Sequence, residues 1–150
     1  MAGTTTDPTF SDDERAAMRE HAAEVQRSRS TKGTRAEKAA AAAQAVRDAI
    51  AGMPEPDRAL AERISRIALD AAPGLTSKLW YGMPAWAEDG KVVFFFQGAA
   101  KFGARYATLG FQDPAALDDG SMWPTAYAIT PAFSDDDATR VAALIRRAVG

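Results

Sequence analysis

Cysteine is absent from this 150-residue chain and histidine occurs once, as His21. The first absence excludes disulfides, thiolate metal sites and cysteine nucleophiles, and the second excludes any multi-histidine metal site within one chain. A Ser-His-Asp arrangement is also disfavoured, because Ser121 and Thr108 have no identifiable base and His21 falls in a peripheral helical segment. Positive charge is not in excess either. A net charge of -2 and a pI near 5.4 give no field to neutralise a phosphate backbone, so nucleic acid is not an expected partner. No apolar run is long enough to span a bilayer, and the start, Met-Ala-Gly-Thr-Thr-Thr-Asp-Pro, lacks a basic and an apolar segment. A cytoplasmic protein with no membrane role is expected. Phosphate-cradling glycine motifs are missing too: Gly98, Gly103, Gly110 and Gly120 are scattered, and no Gly-Lys-Ser or Gly-Lys-Thr occurs.

What is present is an average globular composition, 47% hydrophobic and 25% charged, at a length suited to one core. Residues 1–9 carry no periodicity, and Phe10 is the first residue expected to touch anything. Ser11 with Glu14 spells a capping box that opens a helix over about 11–29, whose thin apolar face is Met18, Ala22 and Val25. Ser28 to Thr34 reads as a break, and Thr34 with Glu37 opens a second helix over 35–51. Its core face is Val46, Ala49, Ile50 and Met53, while the alanines from Ala39 to Ala43 permit close backbone approach. Pro56 and Asp57 start a third helix, in which Leu60, Ile64, Ile67, Ala68 and Ala71 form a clean stripe directed at a sheet.

Strands follow. Leu75 to Tyr81 reads as one, and Trp86 to Glu88 with Lys91 to Gln97 as a hairpin around Asp89-Gly90, with Gly82, Met83 and Pro84 bending the chain between them. Ala104 to Phe111 and Thr125 to Ile129 complete about five strands, with a short helical turn at Ala115 to Leu117. Ser134 caps a final helix whose first turn is Asp135, Asp136 and Asp137 and whose last turn holds Arg146 and Arg147. Helices, then hairpin-linked strands, then a helix predict an α+β fold with a mostly antiparallel sheet packed against helices. Residues 1–52 form an N-terminal helical extension and residues 53–150 the α+β domain, together one globular unit.

The stretch Trp80 to Trp86, Trp-Tyr-Gly-Met-Pro-Ala-Trp, peaks in Tyr-Gly-Met-Pro-Ala. With Met-Pro-Glu-Pro-Asp-Arg at Met53 to Arg58, Ala-Ala-Pro at Ala71 to Pro73, Gly90-Lys91, Lys101 and Tyr106, it resembles the YdhG-like family from roughly Met53 to Val149. These are small bacterial domains of unknown function, some described as frataxin-like iron chaperones. The resemblance implies an α+β fold and a ligand-binding or iron-related role. Many relatives place a histidine soon after the lysine matching Lys101, where this chain has Phe102 and Gly103, so no role resting on that histidine carries over.

Two side-chain groups suit that role, each beside a plainer reading. An iron chaperone needs weak oxygen ligands, and Asp113, Asp118 and Asp119 lie in an acidic stretch without lysine or arginine; Asp113 and Asp119 also suit turns, which need no metal. Trp80, Tyr81, Met83, Trp86, Lys101, Arg105, Tyr106 and Trp123 would form a ligand pocket of apolar walls with cationic anchors; the aromatics also suit a plain core. His21, with no second ligand, reads as an exposed or half-buried helix residue. The expected function is therefore a non-enzymatic, YdhG-like binding domain for a small ligand or ferrous iron, with no catalytic residue assigned. One alternative is an enzyme acting on a small anionic substrate through Tyr81, Lys101 and Arg105. Another is a structural domain that forms a homodimer through the apolar Val92 to Phe96 strand.

Overall fold

Helix comes first and sheet second, in a computed structural model that describes residues 11–30 and 33–150, with the side chains of residues 27–30 left aside. The expected packing of Phe10 lies outside the described residues. Helices α1 (Asp12–Ser30), α2 (Arg35–Ala51) and α3 (Asp57–Ala71) precede strands β1 (Thr76–Trp80), β2 (Met83–Glu88), β3 (Lys91–Gln97), β4 (Ala107–Phe111) and β5 (Ala126–Ile129). A 3-10 turn at Ala100–Phe102 follows β3, and α4 (Asp135–Val149) closes the chain. Among the described residues the strands make one antiparallel sheet in sequence order, β1-β2-β3-β4-β5, which is the α+β arrangement the element order predicts. No described helix is long and apolar enough to cross a membrane.

Local chemistry accounts for the helix ends. Thr34 and Glu37 form the capping box at the start of α2, and Ser134 and Asp137 form another at α4, each side chain accepting from the other residue's backbone N–H. At α1 the Ser11 hydroxyl accepts from the N–H of Glu14 at 3.1 Å. The core is built on one sheet face. Cross-strand pairing of Trp86 with Phe94, Phe94 with Phe111, Phe96 with Leu109 and Ala107 with Ile129 puts these side chains on that face. Val46 and Ile50 of α2, Leu60, Ile64 and Ala68 of α3, and Val141, Ile145 and Ala148 of α4 join them in one cluster. Burying each large aliphatic side chain there contributes about 1.5–3 kcal/mol. On the opposite face the Phe95 ring packs against Trp80, centroids 5.2 Å apart, and lies over Gly110, where a Cβ would collide with it.

Three expectations are corrected. The bend between β1 and β2 is Tyr81-Gly82, with φ of 52° and 76°, and Met83 and Pro84 already belong to β2, opposite Trp80 and Leu79. Proline is tolerated there because pairing of β2 with β3 begins only at Ala85, so no partner on that side needs its missing N–H. Strand β4 starts at Ala107 rather than Ala104, since Ala100–Phe102 coils into the 3-10 turn and Gly103, at φ 59°, ends it. Ala115 to Leu117 is not helical: Ala115 and Leu117 are buried, and the N–H of Ala116 donates to Ala148 O at 2.9 Å, strapping this segment to the end of α4.

Candidate functional site

Helix α1 meets the sheet through polar groups. Its expected apolar face is turned outward, with Met18 at 42% and Val25 at 36% exposure, and Ala17, Glu20, His21 and Glu24 face the protein instead. The target of this face is the Tyr81-Gly82 bend. Two successive positive φ angles match a type I′ hairpin turn, which leaves the Gly82 N–H pointing out of the ladder. Glu24 Oε1 accepts that N–H at 2.7 Å. The His21 ring stacks on Tyr81, centroids 4.1 Å apart and planes 15° from parallel. Glu24 Oε2 and His21 Nδ1 face each other at 3.7 Å, both buried and without a hydrogen-bond partner among the described residues. Glu20 pairs with Lys101 of the 3-10 turn, whose Nζ also lies 3.5 Å from Tyr81 O. Glycine suits position 82 through its positive φ, and a Cβ there would also displace the Glu20 carboxylate and Lys101 Nζ from their pairing.

Beside this junction opens a cleft of about 410 Å³. That volume falls within the range of roughly 300–1,000 Å³ used by small-molecule sites. Ala49, Gly52, Met53 and Pro54, where α2 ends, form one wall, and Met83, Phe96 and Gly98 form another. Glu20, Asp57 and Lys101 are its charged groups. Asp57, only 3% exposed, is the one buried charged residue among those described. Its Oδ2 accepts the N–H of Ala100 at 2.9 Å, tying the start of α3 to the 3-10 turn. Gly98 leaves the room for it, as a Cβ there would sit 2.9 Å from the same oxygen.

Of the residues expected to bind a ligand, Met83 and Lys101 line this cleft, and Tyr81 borders it through its carbonyl oxygen. Trp80 packs edge-on against Tyr81, centroids 4.9 Å apart. The others stand elsewhere. Trp86 is buried in the core and stacks on Phe94, and Trp123 packs against the same core. Arg105 and Tyr106 sit exposed beyond the 3-10 turn, with the guanidinium 5.1 Å from the Tyr106 ring centre. Asp113, Asp118 and Asp119 are exposed between β4 and β5, and among the described residues no three His, Cys, Asp or Glu side chains gather as a metal-holding group.

Glu20, Glu24, Met53 and Asp57 were not among the expected site residues. Asp57 reads as a helix opener in the sequence, and its second role depends on Ala100, 43 positions away. A usable signal did exist in α1: Ala17, Glu20, His21 and Glu24 lie on one helical face, the spacing of a side turned toward a partner. Comparison with protein-family models, with curated proteins and with solved structures finds no match to this chain.

Proposed function

We propose that this protein is a non-enzymatic binding domain that takes a small molecule into the cleft between the end of α2, the start of α3 and the β1–β2 bend. The observation that carries this reading is the cleft itself: about 410 Å³, walled by Met53, Met83 and Phe96, with a buried carboxylate at Asp57 and a paired Lys101 and Glu20 at its rim. Apolar walls with a few placed polar groups are what small-ligand sites use. The resemblance to YdhG-like domains agrees with an accessory, ligand-holding role. An enzymatic reading through Tyr81, Lys101 and Arg105 has less support, since only Lys101 lines the cleft. The iron reading draws support only from the resemblance.

A thermal-shift screen of small polar and charged compounds tests the proposal, with Met83→Trp as the control that fills the cleft. Wild type is expected to show saturable shifts that the filled variant lacks. Equal responses from both, or none from wild type, refute the assignment.

A further inference from the structure

We infer that the cleft selects a ligand carrying a compact organic cation, an alkylammonium or guanidinium group, which docks against Asp57 while its apolar body lies on Met53 and Met83. This rests on the cleft being a binding site and adds the chemical class of its occupant. The first observation is the charge inventory of the walls, two carboxylates against one ammonium. The one ammonium is already engaged, because Lys101 pairs with Glu20 and approaches Tyr81 O. An incoming anion would have to displace Glu20 and would face Asp57.

The second observation is the state of Asp57. Its Oδ2 takes the Ala100 N–H, and no other described group donates to the carboxylate, although the residue is almost wholly buried. Its other oxygen is not a buried unpartnered atom and so keeps access to open space, where its spare acceptor capacity favours a charged donor. The third is the helix geometry. α2 directs its C-terminal, negative end at the cleft through Ala49 and Gly52, and its last turn carries no basic residue. The positive end of α3 is answered already, by Asp57 in its first turn and by Glu55 Oε2, which accepts the N–H of Ala59 at 3.3 Å. That positive end offsets part of the Asp57 charge in turn, so the negative bias of the cleft comes from the α2 carbonyl end and the excess of carboxylates over ammonium, and the apolar walls set the preference for an alkyl chain behind the charge.

The test is calorimetric titration with three probes of equal chain length, n-hexylammonium, n-hexanol and n-hexanoate. Hexylammonium is expected to bind saturably, hexanol about tenfold or more weakly, and hexanoate not at all. In Asp57→Asn an oxygen remains for the Ala100 N–H, and affinity for hexylammonium should fall about tenfold or more, as expected when a buried charge partner is removed. Lys101→Met releases Glu20 and should tighten hexylammonium, a sign that holds even if Asp57→Asn fails to fold. Binding of hexanoate in preference to hexylammonium, equal binding of hexanol, or weaker hexylammonium binding in Lys101→Met overturns the cation assignment and leaves the cleft as a site for another ligand. If none of the three probes binds, the cation assignment falls, and the binding-site reading is decided separately by the thermal-shift screen against Met83→Trp.

Discussion

Helices α1 and α4, near opposite ends of the chain, are held to the fold by different means. α4 lays Val141, Ile145 and Ala148 into the common core, and its polar contacts, such as Ala116 N–H on Ala148 O and Arg147 on Asp118 O, only add to that burial. α1 buries little apolar surface among its described residues, Ala17 being its one buried side chain, and holds on through Glu20, His21 and Glu24 to a backbone N–H, a ring and an ammonium. Apolar burial is nondirectional and sums over area, whereas the α1 contacts depend on the geometry of a few atoms. The lesson is that one rim of the cleft is held differently from the rest: the core is made by α2, α3, α4 and the sheet face, which also supply most of the cleft's walls, whereas α1 adds Glu20 at the rim and is positioned by polar contacts. Elements held by few buried apolar contacts are those that open locally.

Breaking the apolar side should show the largest effect. Ile145→Ala, at a fully buried position, should cost about 2–5 kcal/mol of global stability, read as a lowered denaturant midpoint by circular dichroism. The polar side should fail differently. Glu24→Ala leaves the Gly82 N–H unpartnered and should cost about 1–3 kcal/mol, appearing as faster amide exchange across residues 12–26 while β3 stays protected. A loss spread evenly over α1 and β3 would show that the two ends are not separable. Ser134→Ala removes one half of the α4 capping box and should cost about 1 kcal/mol, measured by the same denaturation.

The smallest effect is that of pH at the same cap. The backbone N–H of Ser134, and then its hydroxyl, favour ionised Asp137 and hold its carboxyl below the ordinary carboxylate value. A lowered folded-state value means that this contribution is fully present above the ordinary range, near about pH 4, and is lost as pH falls through the lowered value. The difference in thermal midpoint between wild type and Asp137→Asn should therefore be steady at neutral pH and close in acid. A difference that persists unchanged into acid would remove the carboxylate from the account.

Much of the helical layer was legible because its signals are local. Thr34 with Glu37, and Ser134 followed by three aspartates, specify helix starts within four residues, and α2 begins and ends where those signals place it. The rotation of α1 was not legible. Met18, Ala22 and Val25 form the apolar side by composition, yet the helix turns toward the bend because the Gly82 N–H, 58 positions from Glu24, offers a bond that no side-chain pattern announces. The bend shifted by the same kind of cause. Pro84 looks like a turn residue, and it sits in a strand because β3 does not reach alongside it. Of the residues that line the cleft, Lys101 and Met83 belong to the motifs read in the sequence, whereas Asp57 is read there only as suited to a helix N-terminus. Trp86 and Trp123 were grouped with them on aromatic character alone, which also suits the core they occupy.

The most direct test of the central claim, that the cleft is the binding site, uses the methionines as reporters. Met53 and Met83 line the cleft, while Met122, 88% exposed, and Met18, on the outer side of α1, do not. In a methyl spectrum of methionine-labelled protein titrated with n-hexylammonium, the Met53 and Met83 signals should move together along one saturating curve, with Met18 and Met122 stationary. Movement of Met18 or Met122 alone, or no saturable movement of Met53 and Met83 with n-hexylammonium or with any compound that shifts the thermal midpoint of the wild type, would contradict it.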